Sequence, residues 1–215
     1  MKATFFIPIL SLLVSTGYSQ IHKLEISHYI FPEFRKGTVL MKAGGSQATM
    51  LNYNSLTEEM IFDQNGKKLA IGPVSQIDTI YIEGRKFFPL KEKFVEIIYH
   101  NKYDLYAAHR CRLVDPGKPA AYGGTSQTSS TTTYSTFMSG GQLYELSLPE
   151  GFGTNPYTDY WLKKDGKLSQ FTSLRQLSKL FDDKPELFKK YVKENKVTYE
   201  NQEGILALIK YMEKQ

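Results

Sequence analysis

Apolar and polar residues alternate with a period of two through most of the stretch from Thr38 to Val114, with turn residues between the alternating runs. That period suits half-buried antiparallel strands, whose successive side chains point to opposite faces. Thr38–Lys42 is β-branched and apolar, and Gly44-Gly45 behind it suits a tight reversal. Ala48–Tyr53 and Thr57–Phe62 form the central pair, joined through Asn52–Ser55. Glu58 and Glu59 then fall on opposite faces of one strand. Asn65-Gly66 predicts a further hairpin, because both residues tolerate positive φ. Leu69–Ile71 and Thr79–Ile82 follow, the latter closed by Gly84. Phe87–Leu90 carries Pro89 and is predicted at an edge or corner. Phe94–Tyr99 and Tyr103–Val114 read as a long hairpin turning at Asn101-Lys102, which sets His109 opposite Phe94. In its second arm Tyr103, Leu105, Ala107, Cys111 and Leu113 share one face, and Asp104, Arg110 and Arg112 the other.

Past Asp115-Pro116-Gly117 the pattern lapses. Thr125–Thr136 holds ten Ser or Thr in twelve residues, too little apolar surface to bury, and is predicted as a solvated connector whose removal leaves the fold intact. Strand signals return at Gln142–Leu148, at Tyr157–Lys163 and, after Lys164-Asp165-Gly166, at Leu168–Phe171. From Thr172 the period becomes about 3.6. Leu174, Leu177, Leu180 and Phe181 mark a first helix capped by Thr172 or Ser173. Pro185 opens a second, with Leu187, Phe188, Tyr191 and Val192 on its apolar face, and a third begins near Asn201 and buries Ile205, Leu206, Leu208, Ile209 and Met212.

The predicted fold is mainly β with an α tail: an antiparallel β-meander forming a barrel or sandwich, then two or three short C-terminal helices. Residues 1–20 are expected to be a signal peptide, 21–36 a lead-in, 37–171 the β-domain with its Ser/Thr-rich loop at 115–141, and 172–215 the helical segment. The expected core comprises Leu40, Leu51, Ile61, Phe62, Ile80, Ile82, Phe94, Ile98, Leu105, Leu113, Leu146 and Trp161.

The first twenty residues set the expected compartment. Lys2 precedes the apolar run Phe5–Leu10 and Leu12–Val14, and Tyr18-Ser19-Gln20 suits cleavage near Gln20. The run is too short for a permanent membrane span. No cysteine follows it, so no lipid-bearing cysteine can anchor the mature chain. The protein is therefore expected to be exported, whether periplasmic, associated with the outer envelope or secreted. One cysteine, Cys111, forms no internal disulfide, and its alternation with apolar neighbours predicts a buried small hydrophobe. Loss of Lys2 leaves 26 basic and 22 acidic residues, spread along the chain. Nucleic-acid binding needs a concentrated basic face, so that class is set aside. The tail carries nine basic and seven acidic residues, a mixed polar face that suits packing on the β-domain better than a membrane surface.

Chemistry is sparse. His22, His28, His100 and His109 show no H-x-x-x-H spacing, and no metal or cofactor is expected. There is no G-x-S-x-G elbow and no S-x-x-K. His109 and Cys111 share a strand face, but Ala107 and Leu113 mark that face as core. Candidate partner-binding residues are Tyr157, Tyr160 and Trp161, delivered by the Gly- and Pro-bearing stretch Gly151–Pro156 as a loop, together with Tyr134 of the polar tract. Aromatic rings stack on sugars or partner side chains; packing of Tyr157 and Trp161 into the β-core is the competing role.

The signal-like start, Leu51-Asn52-Tyr53-Asn54, Leu56-Thr57-Glu58-Glu59-Met60-x-Phe62, Tyr122–Thr128, Tyr160-Trp161-Leu162 and the Lys-rich helical end together resemble a group of uncharacterised exported envelope proteins of Gram-negative bacteria. The resemblance implies envelope location and carries no activity to any residue. The function expected is that of a non-catalytic envelope protein binding a protein or polymer partner through loops of a β-scaffold. The alternative is a hydrolase of envelope or extracellular polymer, with a site assembled from residues distant in sequence.

Overall fold

The computed structural model describes residues 28–114, 118–119, 125–126 and 153–215. The signal segment, Leu146 and Tyr134 lie outside them, as does all of the Ser/Thr-rich loop but two residue pairs, 118–119 and 125–126. Alternation becomes one ten-stranded antiparallel sheet: β1 (Arg35–Met41), β2 (Ser46–Asn54), β3 (Glu59–Gln64), β4 (Lys67–Ala70), β5 (Ile77–Ile82), β6 (Arg85–Leu90), β7 (Lys93–His100) and β8 (Asp104–Val114), then β11 (Gly153–Lys164) and β12 (Lys167–Phe171). Two-residue β9 (Lys118–Pro119) and β10 (Thr125–Ser126) pair separately. The sheet order is β12-β11-β8-β7-β6-β5-β1-β2-β3-β4. It is a chain of hairpins with one crossover, from β4 back to the free side of β1, and it stays open, with β12 and β4 as its edges.

The sheet is strongly rolled. Strands β2 and β7 stand four positions apart, about 19 Å in a flat sheet. Yet the Tyr53 hydroxyl donates to the Phe94 carbonyl at 3.1 Å, and Lys93 Nζ to the Thr57 carbonyl at 2.8 Å. Inside the roll lie Val39, Leu51, Tyr53, Met60, Ile80, Ile82, Phe87 and Phe94. The lead-in closes it: Phe31 is buried, and its N–H and carbonyl are both satisfied by the Asn52 side-chain amide, at 3.1 and 2.8 Å. Gly37 leaves no room for a side chain. A Cβ there would stand 2.6 Å from the Tyr81 carbonyl oxygen and 2.7 Å from Leu51 Cδ1. Gly37→Ala is therefore expected to cost about 1–3 kcal/mol, read as a lower urea midpoint at unchanged slope; an unchanged midpoint would mean that β1 is free to move away from β5.

The tail forms α1 (Leu174–Ser178), which runs on as a 3₁₀ turn to Phe181, then α2 (Pro185–Glu194) and α3 (Gln202–Lys214). Ser173 Oγ accepts the Gln176 N–H, Pro185 begins α2, and Asn201 Oδ1 accepts the Gly204 N–H. Leu177, Phe181, Phe188, Ile205, Leu208, Ile209 and Met212 share one core with Tyr103, Leu105, Ala107, Tyr160, Leu162 and Phe171 of the sheet. Glu213 ties α3 to the β7–β8 turn, accepting the Tyr103 N–H at 2.7 Å and the Tyr99 hydroxyl at 2.6 Å. None of the described helices is long and apolar enough to cross a membrane.

Several expectations need correction. Val39 rather than Leu40 is buried on β1, because Val39 pairs with Ile80 toward the inside of the roll while Leu40 takes the other face. Phe62, Ile98, Leu113 and Trp161 are only half-buried. Strand β6 lies mid-sheet, but its pairing with β5 ends at Phe87, so Pro89 has β7 as its only ladder neighbour and the missing N–H is tolerated. The β7–β8 turn is a residue longer than expected, with His100 opposite Asp104, and a register shift at Ile98 then restores the register of a two-residue turn. Asp104 is buried rather than solvent-facing, taking His100 Nδ1 at 2.6 Å and the Tyr106 hydroxyl at 3.1 Å. Residues 153–156 belong to β11 rather than a loop; Pro156 lies opposite Cys111, beyond the reach of β12.

Candidate functional site

A cavity of about 500 Å³ opens where the tip of the β2–β3 hairpin meets the end of β8 and the start of β11, lined chiefly by Tyr29, Ser55, His109, Arg110, Tyr157, Thr158, Tyr160 and Tyr199. The hairpin tip is built to hold a fixed shape. Asn54 Oδ1 accepts the N–H groups of Leu56 and Thr57 at 2.9 and 3.3 Å, and Glu58 turns the chain at φ 59°. The lead-in continues the line of β1: Ile30 N–H donates to the Tyr53 carbonyl at 3.0 Å, and both the N–H and the hydroxyl of Ser55 donate to the His28 carbonyl, at 2.8 and 2.6 Å. This seats Tyr29 and Ser55 at the cavity.

Two charge clusters lie beneath it. In the first, Arg85 grips Glu96 with two hydrogen bonds, Nε to Oε1 at 2.7 Å and Nη2 to Oε2 at 2.6 Å. His109 Nε2 stands 2.6 Å from the same Oε2. Arg85 Nη2 is also 3.0 Å from this nitrogen, but a guanidinium can only donate, and the shorter carboxylate contact demands that Nε2 carry the proton. Nδ1 stands 3.5 Å from Thr158 Oγ1, accepting when the ring is neutral and donating when it is protonated. Burial raises the Glu96 pKa, but the hydrogen bonds and charges of Arg85 and His109 outweigh it and hold the carboxyl at about 2. In the second cluster Arg110 donates from Nε to Glu58 at 3.0 Å and from Nη1 to Asp159 at 2.7 Å. Burial opposes its charge, yet those two carboxylates raise its pKa above the ordinary value.

The candidate aromatics separate. Tyr157 is half-buried at the cavity, with the Arg112 guanidinium 4.3 Å from its ring centroid. Tyr160 contributes to the wall but is 1 % exposed, stacked on Phe171 and edge-on to Tyr199, so it is no rim residue. Trp161 points to the other face of the sheet, packed against Val95, Tyr106 and Ala108 with Lys91 Nζ 4.3 Å from its ring. Alternation along β11 sets Tyr160 and Trp161 on opposite faces, so the three cannot act as one surface. Tyr134 lies outside the described residues.

Glu58 is the turn residue that reaches Arg110, so it does not alternate with Glu59 on a strand. Cys111 is buried and burial pushes its thiol up, against a nucleophilic role; its thiol donates to the Arg112 carbonyl at 3.7 Å, and Ser55, Thr154 and Asn155, not His109, are its other hydrogen-bonding neighbours. His100 lies at the opposite end of β8 from the cavity. Among the described residues no three His, Cys, Asp or Glu side chains converge as metal ligands. The Glu96–His109 pair did leave a trace in sequence: Glu96 shares strand parity with Phe94, and the predicted register sets it one diagonal step from His109. The Arg110 cluster left none, since Glu58 and Asp159 are 52 and 49 residues away in sequence. No protein-family model, curated protein or solved structure matches this chain.

Proposed function

We propose that the protein is an exported, non-catalytic binding protein of the Gram-negative cell envelope, which takes a segment of a protein or polymer partner into the cavity beside the β2–β3 hairpin. One observation carries this reading: the cavity has the volume of a ligand pocket, roughly 300–1,000 Å³, and rigid aromatic walls, while the acid–base groups beneath it are closed into pairs with one another. Glu96 is held ionised by Arg85, and Arg110 by Glu58 and Asp159, so these carboxylates serve as internal supports. Export rests on the N-terminal sequence, and the envelope setting on the resemblance described above.

A hydrolase is the second reading, favoured by the oriented His109, whose Nδ1 faces a hydroxyl across the cavity. The 3.5 Å gap to Thr158 makes it the weaker of the two. One preparation separates them. Protein recovered from its native host is expected to be shorter by about twenty residues, and to retain envelope material about tenfold better than Tyr157→Ala does. Full-length protein held in the cytoplasm, or equal retention by both forms, would overturn the binding reading. Turnover of p-nitrophenyl esters or glycosides that His109→Ala abolishes would establish the hydrolase in its place.

A further inference from the structure

We infer that the cavity takes a neutral sugar ring. This rests on the cavity being a binding site and names the class of ligand it fits. The first ground is charge. Arg110 is the cation in the wall, and it is engaged at 3.0 and 2.7 Å by Glu58 and Asp159. An anionic ligand would have to compete with two carboxylates already in place, and the Glu200 carboxylate at the rim adds to the repulsion. A cationic ligand fares no better at the Arg110 cluster, because it must displace the guanidinium that already occupies Glu58 and Asp159. A group without net charge escapes both costs, since its approach leaves each ion pair intact.

The second ground is the mixture of surfaces. Tyr29, Tyr157, Tyr160 and Tyr199 supply aromatic walls. The Tyr199 ring is fixed by its hydroxyl, which donates to the Thr158 carbonyl at 2.7 Å and lies 3.3 Å from the Phe171 carbonyl. Thr158 Oγ1 and His109 Nδ1, two polar atoms, stand side by side on the adjoining strands. A purely apolar ligand would strand these groups; a pyranose offers C–H faces for the rings and hydroxyls that both donate and accept.

The test is saturation-transfer difference NMR on the processed full chain. The probes are the methyl glycosides of glucose, galactose, mannose and N-acetylglucosamine, with choline and benzoate as charged comparators. At least one glycoside is expected to give a signal, and its affinity is expected to fall about tenfold in Tyr157→Ala. Thr158→Val, which keeps the shape of the side chain, is expected to weaken the same glycoside, so the test survives if Tyr157→Ala misfolds. Choline or benzoate binding in a Tyr157-dependent manner, with silence from every glycoside, would overturn the sugar assignment and leave the cavity-binding reading standing. Glycoside binding unmoved by either substitution would place the sugar site elsewhere. Silence from all six probes would overturn the sugar assignment, while the cavity-binding reading stands or falls on the retention of envelope material.

Discussion

Arg85→Met is expected to destabilise the fold by up to about 3–5 kcal/mol at neutral pH, the cost of leaving a buried carboxylate with His109 as its one remaining partner. Glu96 is 7 % exposed and receives both guanidinium hydrogen bonds. Methionine keeps apolar contact where the Arg85 guanidinium now lies 5.2 Å from the Phe31 ring and 5.4 Å from that of Phe87, so the loss falls on the carboxylate. In a chain of this size the melting temperature should drop by roughly 10 °C. The pH dependence identifies the cause. Glu96 ordinarily titrates at 4.5 and is held at about 2 in the folded protein. A lowered carboxyl pKa contributes stability that is complete above about pH 4.5 and is lost as the pH falls toward 2. The gap between wild type and Arg85→Met should therefore narrow across that window, because a protonated Glu96 no longer needs the guanidinium. Arg85→Met combined with Glu96→Gln should recover much of the loss at pH 7. Urea midpoints for the three proteins at pH 7 and pH 3 decide it. A gap of equal size at both pH values, unrelieved by the second substitution, would mean that Arg85 acts through packing alone.

The elements were legible because their signals are local. Gly44-Gly45, Asn65-Gly66 and Asp165-Gly166 each mark a turn, and all six of these residues have positive φ. Ser173, Pro185 and Asn201 likewise mark three helix starts by backbone chemistry that needs no tertiary context. Burial was less legible where both sheet faces are covered. On β1 both Val39 and Leu40 are apolar, and only the pairing with β5 decides which one faces the roll. Trp161 went astray for the same reason: its side of β11 carries a small cluster of its own, with Val95, Tyr106 and Ala108. The cavity needed the roll itself. Tyr29, Ser55, Arg110 and Tyr199 come from the lead-in, a hairpin tip, a strand and an interhelix connection, and no period in sequence links them.

Leu208→Ala is the sharper test of how the chain divides. In sequence the change of period at Thr172 suggests a β-domain with a helical appendage, yet the fold places both on one core. Leu208 is fully buried in α3 and belongs to the cluster that unites Leu105, Leu162 and Phe171 of the sheet with Leu177, Phe188 and Ile209 of the helices. Removing its isobutyl group should cost about 2–5 kcal/mol through lost burial and the cavity left behind. The decisive feature is where that loss appears. Trp161, the only tryptophan, sits on the sheet face away from the helices and reports on the sheet by fluorescence; circular dichroism reports on α1 to α3. With one shared core both signals should move together, their denaturant midpoints shifting by the same amount and remaining coincident. Helical signal lost at low denaturant while Trp161 kept its native midpoint would show the tail melting by itself, and the sheet would then be a separate domain that the helices merely cover.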